Sequence, residues 1–169
     1  MKKTINIIFV ISFLIFSSLI IWVNYLMKHN VGDIAFDSSI DDSSFVVCNE
    51  ERIFQYYSVG TSYIGGRKAI RKKIFTELKN TNLEFDKKTG YITFRFIVNC
   101  KGQAGRYRYK EVDSDFFKTT FKTSEVEKLK KAITVLDNWN SGILKDDVNV
   151  DSYYHINFKI IDGEIIDIF

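Results

Sequence analysis

The sequence predicts an α+β domain, two helices packed on one face of a small antiparallel sheet, preceded by one N-terminal transmembrane helix. Three patterns predict it. Residues 5–27 are one nearly unbroken apolar run without charge. Two later segments repeat apolar residues at three- and four-residue steps, the period of a helix with one buried face. Four others alternate with a period of two, the mark of strands with one buried face. The order reads helix, strand, strand, helix, strand, strand, and such an order packs helices on one side of the sheet. The chain has 169 residues, 46% hydrophobic and 15% aromatic, and this excludes a largely disordered polymer. Its formal net charge of +3 is too near neutral to imply nucleic acid, and none is expected as a partner. Proline is absent, whereas about 5% is usual. No proline-rich rigid spacer can be present.

The run INIIFVISFLIFSSLIIWVNYLM at 5–27 exceeds the roughly 20 apolar residues that cross a hydrocarbon core as a helix. Lys2 and Lys3 precede it, so residues 1–4 are expected in the cytoplasm. Trp22 and Tyr25 stand near its far end, where amphipathic rings favour the interface. The rival is a cleaved signal peptide, but no small-residue cleavage site follows Met27. The expectation is a single-pass anchor in the inner, cytoplasmic membrane, with the rest of the chain in the periplasm.

Residues 28–50 read as an acidic periplasmic linker, with Asp33, Asp37, Asp41 and Asp42 and no base after Lys28. Fully extended, such a stretch reaches about 75–80 Å. Residues 51–169 read as the globular domain. Gly65-Gly66 is a turn, followed by RKAIRKKIFTELKN, in which Ile70, Ile74 and Leu78 form an apolar stripe and the other face is basic. Asn80 and Asn82 stop it. In GYITFRFIV, residues 90–98, Ile92, Phe94, Phe96 and Val98 share one face. Residues 99–103 turn the chain. In AGRYRYKEV, Arg106, Arg108 and Lys110 alternate with Tyr107, Tyr109 and Glu111, giving a second strand with a cationic face.

Ser124 and Glu127 have capping-box spacing, and Val126, Leu129, Ile133 and Leu136 follow as a stripe that Trp139 closes, with Gly142 past the end. Trp139 reads as a core anchor, with a ligand contact the alternative. SYYHINFKII alternates Tyr154, Ile156, Phe158 and Ile160 with Tyr153, His155, Asn157 and Lys159. Asp162-Gly163 signals a two-residue hairpin, and EIIDI is a last short strand.

The two cysteines, Cys48 and Cys100, fit no zinc spacing. In an oxidising compartment the simplest expectation is one Cys48–Cys100 disulfide, with two separate thiols the alternative. The bases Arg67, Lys68, Arg71, Lys72 and Lys73, with Arg106, Arg108 and Lys110, could form a cationic patch for an anionic envelope component. They could equally be a solvated helix face, or attract the acidic linker within the chain. No enzyme is expected: His155 and His29 stand alone, Gly60-Thr61-Ser62 is not a nucleophile elbow, and Asp113/Asp115 and Asp146/Asp147 lie in polar loop stretches. No catalytic residue, metal or cofactor is expected.

The stretches YIGGRKAIRKKIFTEL, GYITFRFIVNCKGQAGRYRYKEV, LKKAITVLDNW and YYHINFKIIDGEI, in that order over about residues 60–168, resemble the TonB C-terminal domain, in a variant similar to those of the Bacteroidota. The resemblance implies energy transduction across the cell envelope. The domain would bind an extended peptide of an outer-membrane TonB-dependent transporter by adding it to the edge of a sheet. ExbB/ExbD-like motor subunits would be further partners. The peptide-binding edge would be Tyr153, Tyr154, His155, Ile156, Asn157, Phe158, Lys159, Ile160 and Ile161. The chain departs from the family in having no histidine within 5–27 and no proline-rich spacer. An alternative follows: an envelope scaffold or interaction protein with a TonB-like domain that does not couple to a proton-driven motor.

Overall fold

The computed structural model describes residues 2–30, 34–79 and 81–169, without the side chains of 2–6, 8, 26–30 and 146. The expectations resting on Lys2 and Lys3, His29, Asp33, Asp146 and the stop at Asn80 fall outside the described residues. The chain divides into two units, 1–35 and 36–169.

The first unit holds helix α1, Lys2–Asn30. Its described side chains are mostly apolar and mostly exposed, and the polar Ser18 and Asn24 donate back to the carbonyls of Ile15 and Ile20. The expected membrane span is corrected here. Among the described residues no helix is long and apolar enough to cross a membrane. The assignment to a single-pass inner-membrane protein with a periplasmic domain is therefore withdrawn.

The second unit is α+β, with more strands than two helices and two hairpins supply. In order come β1 (Phe54–Gln55), α2 (Tyr56–Val59), β2 (Ser62–Tyr63), α3 (Gly66–Leu78), β3 (Gly90–Val98), β4 (Ala104–Asp113) and α4 (Thr123–Thr134). Then follow β5 (Trp139–Asn140), β6 (Gly142–Ile143), a 3₁₀ turn at Lys145–Asp147, β7 (Asn149–Val150), β8 (Ser152–Ile161) and β9 (Glu164–Ile168). The main sheet runs β1-β8-β3-β4, with β9 also on β8. β8 and β3 pair antiparallel from Gly90↔Ile160 to Val98↔Ser152. β3 and β4 form the expected hairpin, but the register shifts between Arg95 and Ile97. Small pairs β2–β5 and β6–β7 fold the connections.

The core lies between the sheet and helices α3 and α4. Ile92, Phe94 and Phe96 of β3 and Ile156, Phe158 and Ile160 of β8 meet Ile70, Ile74 and Leu78 of α3 and Val126, Leu129 and Ile133 of α4. Each such side chain, when fully buried, contributes about 1.5–3 kcal/mol. Trp139 is buried against Tyr63, Phe96 and Tyr154, and its indole N–H donates to the Leu136 carbonyl, 2.9 Å. It sits on β5 rather than closing α4, because α4 ends at Thr134.

The capping box is also corrected. α4 begins at Thr123 after Lys122, with no side-chain cap. Ser124 instead donates to the buried Glu125 carboxylate, which also accepts from Lys128 and from the Glu84 N–H. Glu125 thus ties the loop before β3 to the start of α4. The Asp162-Gly163 turn forms as the sequence predicts, with φ of +50° and +84°, the left-handed pair that a tight hairpin requires.

Candidate peptide-binding edge

β8 owes its position to its alternation. Tyr154, Ile156, Phe158 and Ile160 are buried, so the strand is fixed with that face on the helices. Its nine predicted residues do not form a free edge. One flank is hydrogen-bonded to β3 throughout. The other flank is shared. At its start Ser152 and Tyr153 pair in parallel with Phe54 and Gln55 of β1. At its end Phe158 to Ile161 pair with Ile168 to Glu164 of β9. Asn157 exchanges both backbone hydrogen bonds with the last residue, Phe169, at 2.8 and 3.0 Å.

Backbone direction alternates along a strand. Since Asn157 bonds outward to Phe169, His155 also presents its N–H and C=O outward. That pair has no backbone partner among the described residues. It opens on a cavity of about 40 Å³ lined by Tyr56, Arg67, Ile70, His155, Ile168 and Phe169, among others. The ring of His155 meets the edge of Tyr56 at 5.3 Å. Partial burial and the charges of Arg67 and Arg95 hold its pKa below the ordinary histidine value, so the ring is neutral near pH 7. Burial pushes the Tyr154 phenol up.

The segment read as the end of a linker lies on the domain. Residues 36–50 form a strap over the start of β4. Arg108 makes a two-pronged ion pair with Asp41, both bonds 2.7 Å. Arg106, only 5% exposed, pairs with Glu50, and its guanidinium lies over the Phe36 ring at 5.4 Å. The Arg108 guanidinium beside Asp41 holds that carboxyl below its ordinary range, against some burial. Cys48 and Cys100 form a disulfide with Cα atoms 6.1 Å apart. Both oxygens of the buried Asp151 carboxylate accept backbone N–H groups on either side of it, from Asn49 at 2.7 Å and Cys100 at 2.9 Å.

The basic residues are therefore divided among several tasks. Arg106 and Arg108 hold the strap. Arg71 donates to the Ile168 carbonyl and pairs with Asp167 of β9. Lys73 pairs with Asp137, and Arg67 lines the cavity at His155. Lys68 and Lys72 are exposed on α3. Cys48, Cys100 and Asp151 lie close enough to hold a metal, but the sulfurs are joined and the carboxylate is occupied by N–H donors. Asp113 is a turn former, accepting from the N–H groups of Asp115 and Phe117.

Sequence reasoning offered the strap only as one alternative, an attraction of the acidic segment to the bases, and missed the Asp151 clamp and the closure by Phe169. The first had a signal in its charge, opposite to that of β4. The last had none, because a chain-terminal aromatic looks the same whether paired or free. No family model, curated protein or solved structure matches the chain.

Proposed function

We propose that the 36–169 unit is a peptide-binding module that takes an extended peptide by strand addition at the outer flank of β8. The observation that carries this reading is the break in that flank at His155, between β1 and the end of β9. Backbone groups facing outward beside a small cavity are what strand addition uses, and they supply affinity largely independent of side chains. The resemblance of residues 60–168 to the TonB C-terminal domain supports the same edge and gives an outer-membrane transporter peptide as the natural guest. Coupling to ExbB/ExbD-like subunits belongs to that reading.

A second reading, a TonB-like interaction module without a motor, is favoured by the absence of histidine from 5–27 and of proline from the whole chain. Both readings share the peptide edge and no catalysis.

The test is a titration of the isotope-labelled full chain with N-terminal peptides of candidate transporters. Shifts of the backbone amides of Tyr153 to Asn157, unchanged by replacing His155 with Asn, are expected. Amide positions along β8 that stay fixed at saturating peptide would overturn the reading. Crosslinking followed by recovery of ExbB/ExbD-like subunits separates the motor-coupled form from the uncoupled one.

A further inference from the structure

We infer that β9 with Phe169 is a built-in occupant of the peptide-binding edge, and that the natural guest resembles it and competes with it. This inference rests on the strand-addition reading and assigns that site its guest chemistry and its regulation.

β9 lies in the lane that a guest would need. It runs antiparallel to β8, pairing Ile165 with Ile160, Asp167 with Lys159 and Ile168 with Phe158, and Phe169 extends the pairing to Asn157. Two positions further along the same lane stand the outward N–H and C=O of His155, without a backbone partner among the described residues. A guest in that lane running two residues past the position of Phe169 would form both bonds that β9 leaves unmade.

The contacts of β9 specify the guest. Ile168 is 1% exposed in the core and Ile165 packs against it, whereas Ile166 points to solvent. Asp167 meets Arg71 at 2.8 Å, and the same guanidinium donates to the Ile168 carbonyl at 2.5 Å. The lane therefore takes an extended peptide with an acidic residue opposite Lys159, flanked by apolar residues opposite Ile160 and Phe158. The tether through Asp162-Gly163 keeps β9 at high effective concentration, which a free peptide must overcome. Arg71 would meet a guest's acidic residue as it meets Asp167, so a change within β9 itself, Asp167→Asn, loosens the tethered strand and leaves the lane intact.

The probe is a synthetic peptide, Glu-Ile-Ile-Asp-Ile-Phe-Thr-Val, the β9 sequence with Phe169 and two added residues. It is titrated against the unchanged full chain and the full chain carrying Asp167→Asn. The variant is expected to bind it about ten-fold or more tighter, because the tethered competitor is loosened. A peptide with Lys in place of its Asp is expected to lose that binding. Equal affinity of the two chains would overturn the inference. A chain ending at Gly163 gives the second measurement. If it folds, it binds the probe at least as tightly as Asp167→Asn. If it does not, amide exchange decides on the unchanged chain: exchange at Ile165 to Phe169 is expected to quicken on adding excess probe, and unchanged exchange overturns the inference. An unrelated alternating Val-Thr peptide that shifts His155 while β9 stays paired would leave strand addition standing and remove the competition. No binding of either peptide to any of these chains would remove both.

Discussion

Asn157 and Phe169 exchange both of their backbone hydrogen bonds, so the last residue of the chain closes the middle of β8. Everything about the candidate site follows from where that closure stops. One residue pair further along β8 the backbone of His155 is open, and Tyr56 of α2 bounds the gap on the other side. A strand with one occupied and one open stretch on the same flank is a selective edge: it resists indiscriminate pairing, as edges must, yet leaves an initiation point.

His155 makes the gap sensitive to pH. Its pKa is lowered in the folded chain by partial burial first, then by Arg67 and Arg95. The unfolded chain therefore binds the proton more readily than the folded one. Stability is full above the ordinary histidine value and falls as pH drops below it toward the lowered value. Denaturant midpoints of the unchanged chain are expected to decrease as pH falls below about 6.5, and His155→Asn is expected to flatten that part of the profile. A parallel profile in the two chains would contradict the assignment.

The strap gives an acid response of different origin. The side chain of Asp41 is 2% exposed and its Arg108 partner is about a third exposed. Asp41→Asn leaves the guanidinium without its carboxylate. A fully buried pair broken in this way costs about 3–5 kcal/mol; solvent at Arg108 reduces this to about 2 kcal/mol. The pKa of Asp41 is lowered chiefly by its hydrogen bonds from Arg108. Its contribution is thus present above the ordinary Asp value of 3.8 and lost as pH falls through the lowered one. Chemical denaturation should show the Asn variant weaker at pH 7, with the difference from the unchanged chain shrinking as pH falls below 3.8.

The disulfide fastens the same strap. Cys48 and Cys100 are 52 residues apart, and closing such a loop is worth about 4 kcal/mol in the chain-entropy model. Replacing both with Ser is expected to lower stability by that order. Asp151 still holds the N–H groups of Asn49 and Cys100, so the strap should stay in place at room temperature. Proteolysis within 36–47 that accelerates in an Asp151→Ala chain more than in the double Ser chain would be the expected signature.

The elements were legible where apolar periodicity was strict. β3, α3, β8 and the Asp162-Gly163 hairpin fall close to where the sequence puts them, because Ile92, Phe94, Phe96, Ile70, Ile74 and Leu78 can be buried on one face only. The alternation in β4 was read too simply. A register shift opposite Arg95 to Ile97 and a φ of +53° at Arg106 turn that residue under the strap instead of onto a shared cationic face. The capping box failed because Glu125, adjacent to Ser124, is the buried carboxylate and claims the hydroxyl. The site was legible only as a strand. Its neighbours on the outer flank, Phe54–Gln55 and Glu164–Phe169, come from the two ends of the domain, and no local pattern tells which edge a short strand will join.

At Gly105 the strap packs closely on the sheet. A Cβ built on that glycine would stand 2.3 Å from the Phe45 ring. That ring is held between the Asp41 and Cys48 anchor points, so it cannot simply swing away. Gly105→Ala is therefore expected to destabilise the domain by about 1–3 kcal/mol, as overpacking does, and to free residues 36–47 for proteolysis. Phe45→Ala in the same chain removes the obstacle, so the double variant should recover part of the loss left by Gly105→Ala. The sign of that coupling is the decisive reading. Two losses that merely add would mean that Gly105 and Phe45 do not press on each other. A positive coupling would show that the acidic segment is packed on β4 in solution, holding Arg106 and Arg108 away from any anionic partner.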